Sequence, residues 1–473
     1  YVYLFIFKIF GRNISDIRLF SFIYALAGIM LLYKLGELLF NKPVGLIASF
    51  IFGVISADPA RYGFMAKAEN FMLAPLIGSM LIFYLALTKK DNRLFFASGL
   101  LTGLAFILKQ SAVFSGLFII VFLFIDFFID RKEENFSGLI KRCLYFITGF
   151  VTILLPVVIY FRLNGAWDDF VYWTFWRNIE YVDTGDNFSK FTNKFIWFNF
   201  LKQFNNLLKS SFIFWIPCVY GIWYLIKQKN KNGILITGWF IFSLLSVFAG
   251  LRFSPHYFLL TTPVLAITAS YGLWLFFEKI AKIEYIIFKK ILVLLIACLF
   301  AVFALGPNFN YYFIYSPRQI SKLSYGDYYP LQARIKYIAA YINQNTYHTD
   351  TVLIFDSAPD LLFYAKRKSA TKYIIFYPLA ENSKDSLKIQ KDIIREITLN
   401  KPKYIIDMTF NKRIFAEQYI VKATGKILHK YYYPESFVSL TSNQEAECVV
   451  KINRNQLNYA FLWDKIVLYR LKE

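Results

Sequence analysis

Cysteine and histidine are scarce, with four and three residues in a chain of 473. Cys143, Cys218 and Cys298 fall in or beside apolar runs and Cys448 stands alone, so no paired spacing supports a disulfide framework or a zinc site. His256, His348 and His429 are far apart in sequence, which argues against a metal site built on histidine. No glycine-rich phosphate loop, Ser/His/Asp constellation or paired-cysteine motif is present either. Charge is sparse at 18% of residues, and carboxylates are the rarer sign: 31 Asp and Glu against 53 Lys and Arg, a net charge of +22. Much of that excess lies in short loops beside apolar runs. Anionic inner-leaflet lipid is the nearer counter-charge there, so nucleic acid is not an expected partner.

What the chain has in abundance is apolar and aromatic surface, 57% and 20% of residues, with a mean hydropathy of +0.43. Apolar runs of about 17–25 residues recur, the length that crosses a hydrocarbon core of about 30 Å. The expected fold class is therefore a polytopic α-helical membrane protein. Its ten expected spans lie near 18–40, 43–58, 70–88, 93–108, 111–130, 139–161, 208–227, 233–251, 257–278 and 285–306. Every second gap is basic: Lys34 and Lys42; Lys89, Lys90 and Arg93; Arg131, Lys132, Lys141 and Arg142; Lys227, Lys229 and Lys231; Lys279, Lys282, Lys289 and Lys290. These odd gaps hold roughly sixteen Lys and Arg against roughly four in the short even gaps, which assigns the odd gaps to the cytoplasm. The expected location is the cytoplasmic membrane. The first stretch, 1–11, is too short to span and reads as a loop or interfacial helix, and the sequence is expected to lack its N-terminus.

Two outward segments stand apart. In 162–207, Trp167, Tyr172, Trp173, Trp176 and Tyr181 alternate with Asp168, Asp169, Arg177, Glu180 and Asp183, which suits a helix in the outer headgroup layer, either as an anchor or as a lip for a lipid substrate. From 307 to 473 hydropathy falls and short β-rich runs separate amphipathic stretches. Helices are expected at Leu331–Asn345, Pro359–Lys366 and Ser386–Leu399, and strands at Thr351–Phe355, Tyr373–Phe376, Lys403–Asp407, Val449–Ile452 and Ile466–Tyr469. This predicts a small, mostly parallel extracytoplasmic α/β domain, following a membrane domain over 1–306.

A polar group near the outer membrane face is expensive unless it has a task. In the second gap, Glu69 and Asn70 stand just before an apolar span, either as a helix cap or as a carboxylate aimed into a cleft. Arg61 lies in the same gap. In the fourth, Lys109 is either a snorkelling lysine or an anion ligand. In the eighth, Arg252, His256 and Tyr257 flank Pro255 as donors for a phosphate or as an interfacial anchor. Cations near one carboxylate at the outer surface are what a lipid-phosphate substrate needs.

At these residues the chain resembles the integral-membrane GT-C glycosyltransferases, in the bacterial branch akin to protein mannosyltransferases and aminoarabinose transferases. The resemblance runs through Phe10-Gly11-Arg12 to Ile17-Arg18-Leu19, then Glu69-Asn70-Phe71-Met72, then Gly103 to Gln110, and last Arg252 to Phe258 with Pro263 downstream. It implies inverting transfer of a sugar from a polyprenyl-phosphate donor to an acceptor hydroxyl on a lipid, glycan or protein. By the same resemblance, donor-phosphate contact falls to Lys109, Arg252, His256 and Tyr257, joined by Arg61, with Glu69 as a second acidic position. The family's general base is an aspartate in a loop that would precede Tyr1. No cofactor is required by the motifs, no metal ligand is assigned, and a divalent cation is left open. The rival classes are a polysaccharide polymerase or ligase and a lipid-linked saccharide flippase. Against the flippase stand the scarcity of mid-span charge and the lack of repeated halves.

Overall fold

The computed structural model describes residues 2–11, 13–63, 65–129, 135–177, 194–326, 329–355, 358–376, 386–408, 419–438, 449–452 and 466–472. The chain forms two compact units, Tyr1–Ile314 and Tyr315–Glu473. The boundary lies beyond residue 306 because Asn308 and Tyr312 are bonded back into the first unit, to Asp58 and to the Val54 carbonyl.

Unit 1 is a helical bundle. Its helices are α1 (Val2–Phe10), α2 (Ile14–Leu39), α3 (Lys42–Ser56), α4 (Ala68–Lys89), α5 (Asn92–Leu108), α6 (Val113–Ile129), α7 (Phe136–Leu163), α8 (Trp167–Val171), α9 (Lys194–Gln228), α10 (Lys231–Phe248), α11 (Thr262–Ala281), α12 (Ile286–Leu305) and α13 (Phe309–Phe313). Among the described residues, eight helical stretches are long and apolar enough to cross a membrane, and the protein is a multi-pass membrane protein. The other two expected spans are the shorter apolar helices α3 and α5, of 15 and 17 residues. At 1.5 Å per residue these are about 23 and 26 Å long.

Both short helices nevertheless run from one end of the bundle to the other, because loops of each parity meet. At one end Asn232 donates to the Leu39 carbonyl at 3.0 Å, and Lys231 and Arg142 both reach Asp126. At this end Asn41, Asp91, Asn135 and Asn230 cap α3, α5, α7 and α10 by accepting hydrogen bonds from first-turn N–H groups. The expected small-residue packing of α5 is present: α5 and α7 cross so closely that a Cβ on Gly99 would lie 2.0 Å from the Phe146 carbonyl oxygen. Lys34 and Glu37 pair at 2.7 Å as their spacing implied. Of the Trp-rich segment, α8 and a π-helical turn at Tyr172–Trp176 are formed, and 194–207 is the first part of α9, which is kinked at Ser211. The rest of that segment, with Glu180, Tyr181 and Asp183, lies outside the described residues, as do Arg12, Asp130, Arg131 and Lys132.

Unit 2 is a six-stranded sheet of order β2-β1-β3-β6-β4-β5, built from β1 (Thr351–Phe355), β2 (Lys368–Ser369), β3 (Tyr404–Asp407), β4 (Tyr432–Val438), β5 (Val449–Lys451) and β6 (Ile466–Leu471). Its helices are α14 (Pro317–Tyr325), α15 (Tyr329–Gln344), α16 (Pro359–Ala365), α17 (Ser386–Asn400) and α18 (Tyr419–Tyr431). Val352, Ile354 and Ile406 pack on α15 and α16, while Leu353, Phe355 and Ile405 pack on α17 and α18. Helices on both faces explain why these strands read as continuous apolar runs. The sheet is mixed rather than mostly parallel: β1 pairs in parallel with β2 and β3, whereas β6, β4 and β5 are antiparallel. The strand expected at Tyr373–Phe376 is replaced by the two-residue β2. Thr371 donates to the Tyr373 carbonyl and turns the chain, and Phe376 packs edge-on against Phe355 instead of pairing.

At the Pro434/Ser436 register shift of β4, Glu435 is the extra residue of a bulge. Its carboxylate accepts from Tyr404, from Tyr341 at 3.0 Å and from Arg470 at 2.8 Å. Burial pushes this carboxyl up, but the hydrogen bonds from Tyr404, Arg470 and Tyr341 outweigh it, and the group titrates below the ordinary carboxylate range. A lowered folded-state value means stabilisation that is full above the unfolded value near pH 4.3 and is lost as pH falls through the folded one. Glu435→Ala should destabilise unit 2 by about 1–3 kcal/mol, seen as faster hydrogen exchange in β3 and β6 peptides of the full chain at neutral pH. Wild-type protection in the variant would contradict the role given to this carboxylate.

Candidate active site

At the end of unit 1 opposite Asp126, α2 is capped by Asn13 but α4 and α11 begin differently. The chain enters through short 3₁₀ turns at Pro59–Arg61, Gln110–Ala112 and Pro255–Thr261, and the residues before α4 and α11 make no side-chain cap. First-turn N–H groups and the positive ends of the helix dipoles are thus gathered where the even-gap loops converge.

Glu69 stands in the first turn of α4 and is only 2% exposed. Lys109, from the α5–α6 junction, places its Nζ 2.8 Å from Glu69 Oε1. His256, from the α10–α11 loop, brings Nε2 to 3.7 Å from the same oxygen. Lys67 approaches the other nitrogen of the ring, with Nζ 3.3 Å from His256 Nδ1. An ammonium only donates, so Nδ1 accepts and the ring proton sits on Nε2, toward Glu69. Aromatic rings wall the cluster: Lys109 lies over Tyr257 at 4.9 Å, Lys67 over Tyr62 at 4.8 Å, and Tyr62 stacks on His256. Burial pulls the Lys67 ammonium below the usual lysine range, Glu69 opposes that and Lys109 adds to it. Two ammonium groups around one carboxylate, at an end where helix N-termini collect, make a site poised for an anion.

Four of the expected residues are therefore brought together: Glu69, Lys109, His256 and Tyr257. Arg252 is half-buried on the same loop, next to Phe253, which is fully buried with a φ of +48°. Arg61 does not join them. Its guanidinium, 1% exposed, is bound to Asp58 at 2.5 Å and donates to Ser211 at 3.1 Å, which makes it a buried strut of the loop. Asn70 is not a cap: it donates to the Gly63 and Met65 carbonyls and folds the loop onto the start of α4. Sequence reasoning missed Lys67 and Tyr62. The signal for Lys67 was a lysine two residues before Glu69 in a gap where the positive-inside pattern disfavours one. Among the described residues, no three His, Cys, Asp or Glu side chains are grouped to hold a metal ion.

Residues 1–161 match the family described as dolichyl-phosphate-mannose-protein mannosyltransferase. The fold of the whole chain is shared with the archaeal oligosaccharyltransferase AglB from Archaeoglobus fulgidus, in complex with an inhibitory peptide and a dolichol-phosphate. That likeness has a TM-score of 0.53 and 13% identity, over 97% of this chain and 65% of that one. It is shared equally with ArnT from Cupriavidus metallidurans bound to undecaprenyl phosphate, at 0.53 and 13%, over 98% and 85%. The chain is similar to that family over its first 161 residues and shares the fold of these two enzymes. It spans 65% of the length of the archaeal enzyme, and at this identity the structural likeness concerns the fold alone. No curated protein matches it in sequence.

The loop that delivers Lys67 and Glu69 depends on Gly63, where a Cβ would lie 1.8 Å from the Ser56 carbonyl oxygen. Gly63→Ala must displace the loop. Hydrogen exchange of peptides within 57–70 should accelerate about tenfold or more, while α5 and α7 peptides stay protected. Unchanged exchange in 57–70 would refute the close packing of this loop.

Proposed function

We propose that this protein transfers a sugar from a polyprenyl-phosphate donor to an acceptor hydroxyl, with inversion, at the non-cytoplasmic face of the cytoplasmic membrane. The observation that carries this reading is the Lys109–Glu69–His256–Lys67 cluster at one end of a GT-C bundle. The lipid phosphates bound by AglB and ArnT support the donor class.

In this reading the donor's prenyl chain stays among the apolar helices while its phosphate meets Lys109 and Lys67, with Arg252 on the adjoining loop. The acceptor hydroxyl oxygen attacks the anomeric carbon and gives up its proton to solvent, the bond from that carbon to the phosphate oxygen breaks, and the phosphate leaves with the electron pair. A phosphate leaving group needs cationic stabilisation rather than a proton donor. Lys109 and Lys67 supply it in partly dry surroundings, where charge is weakly screened. An arriving phosphate also relieves the strain that burial puts on the Lys67 ammonium. Glu69 holds the two ammonium groups in register when the site is empty and keeps Lys109 pointed inward. Arg61 acts indirectly, by fixing the loop through Asp58.

The sidedness rests on two features. The basic gaps gather at the Asp126 end, and the chain leaves unit 1 at the opposite end, since Asn308 reaches Asp58. Unit 2 then belongs to the same compartment as the cluster. An alkaline phosphatase fused after Glu473 should be active outside the cytosol, and a cytosolic fusion point would dismantle this assignment.

Lys109→Ala in the full-length protein should lower transfer from labelled polyprenyl-phosphate sugars about a hundredfold or more, with Lys109→Arg recovering part of it. Lys67→Ala and Arg252→Ala should each cost about tenfold. Full activity in the Lys109→Ala and Arg252→Ala variants, at normal protein levels, would remove the phosphate assignment. Binding of the donor without any turnover in the wild type would instead favour a carrier or a scaffold.

A further inference from the structure

We propose that α18 of unit 2 is a docking face for the anionic headgroup layer of the membrane that unit 1 spans. This helix, Tyr419–Tyr431, contains no Asp or Glu. Ile420 and Thr424 are buried, while Lys422, Lys426 and Lys430 are all exposed, with His429 beside them. Residues four apart share one helix face, so the three ammonium groups form a single stripe about 12 Å long. Among the described residues, none of the three has a carboxylate partner. Like charges at this spacing destabilise a helix. The neighbouring α17, on the same face of the sheet, shows the ordinary arrangement of a solvated surface. There Lys388, Lys391 and Arg395 are interspersed with Asp392 and Glu396, and Arg395 pairs with Asp392 at 3.6 Å.

Positive charge continues past the end of the helix. Lys472 Nζ donates to the carbonyls of His429 and Lys430 at 2.9 and 3.2 Å, which closes the last turn of α18 and offsets the negative end of its dipole. Lys430 Nζ lies over the Tyr431 ring at 4.9 Å. The Tyr431 phenol titrates below the ordinary tyrosine range, through its hydrogen bond with Lys430 first and then through the charges of Lys430 and Lys401. Three features select the occupant. Lysine ammonium groups are point charges on flexible stems, suited to many phosphates at variable positions rather than to one fixed anion. Leu399, Tyr419 and Tyr431 are 72%, 43% and 37% exposed in the segments that carry these lysines, an apolar and aromatic fringe of the kind that enters a headgroup layer. Unit 2 also begins at Tyr315, directly after Ile314 of unit 1, so α18 is tethered to the bilayer and a weak attraction per lysine suffices. A soluble acidic partner is the competing occupant.

The test is acetylation footprinting of the full-length chain in nanodiscs of phosphatidylcholine alone or of equal phosphatidylcholine and phosphatidylglycerol. None of its readouts involves sugar transfer. Lys422, Lys426 and Lys430 should acetylate about threefold or more slowly in the anionic discs at low salt and at equal rates in both at high salt. Lys388 and Lys391, exposed on α17, should label alike throughout. Hydrogen exchange of peptides over 397–402 should also slow in the anionic discs. Lys422→Gln combined with Lys426→Gln and Lys430→Gln, all at exposed positions, should abolish that slowing. Equal labelling of the α18 lysines in the two discs, or slowing of the same size at Lys388 and Lys391, overturns the proposal. Protection of the α18 lysines by soluble polyglutamate in phosphatidylcholine discs, with none from phosphatidylglycerol, overturns it in favour of an acidic partner.

Discussion

The ion pair of Asp58 and Arg61 is the constraint from which the rest of the candidate site follows. Both side chains are almost fully buried, a state that several kilocalories of desolvation would forbid without pairing. The pairing is drawn from distant parts of the chain. Asp58 accepts from Arg61, from Ser210 at 2.6 Å, from the Ala60 N–H at 2.9 Å and from Asn308 at 3.3 Å, while Arg61 donates to Ser211. Ser211 is where α9 leaves helical geometry, so the kink and the ion pair are parts of one arrangement. Three segments are thereby tied together: the loop before α4, the middle of α9 and the exit from α12. With residues 58–63 fixed in this way, Lys67 and Glu69 have little freedom in where they emerge.

A second constraint acts on the bundle as a whole. Helices that cross a hydrocarbon layer push ionisable groups to their ends, so a protein of this kind has two places in which to assemble polar chemistry. Unit 1 uses both, and in each a buried carboxylate lies among cations: Glu69 with Lys109 and Lys67, Asp126 with Lys231 and Arg142. The ends differ in several of their helix starts, although α2 is capped by Asn13 at the Glu69 end and α12 starts at the Asp126 end without a side-chain cap. Asn and Asp side chains close the first turns of α3, α5, α7 and α10 at the Asp126 end, whereas α4 and α11 begin at the Glu69 end without side-chain caps. Stability is served by closing those N–H groups. Leaving dipole ends open costs stability, and an end that must receive an anionic group has a use for them.

Most of this was legible because it is written in local composition. Apolar length and the alternation of lysine-rich gaps fix the helices and their order, and the ends of the bundle group the gaps as that alternation requires. The cluster of Glu69, Lys109, His256 and Tyr257 was legible for the same reason, since all four stand in even gaps. Arg61 was misplaced because its partners depend on chain paths that no local pattern encodes: Ser211 is 150 residues away and Asn308 is 250 residues from Asp58. In unit 2, β4 was missed because Pro434 reads as a strand breaker, whereas it lies beside a bulge where a missing N–H is tolerated. The antiparallel half of the sheet followed β4 out of view. Tyr373–Phe376 failed in the opposite sense, having strand-like composition without an edge to pair with.

The setting of Glu69 bears on what the carboxylate does in the proposed transfer. A general base must present a lone pair to the acceptor proton and then carry that proton away. Glu69 is almost wholly enclosed, and its Oε1 faces an ammonium at 2.8 Å and an imidazole N–H at 3.7 Å. Those neighbours already occupy the oxygen that a base would have to turn toward an acceptor hydroxyl. They suit a carboxylate that holds two mutually repelling ammonium groups close together in a partly dry pocket. When a phosphate arrives, it meets cations already assembled, and the repulsion between Lys67 and Lys109 becomes part of the attraction for the ligand. The same logic explains why the rings of Tyr62 and Tyr257 are suitable neighbours. Their faces attract the ammonium groups without neutralising them, and the charge is kept for the substrate.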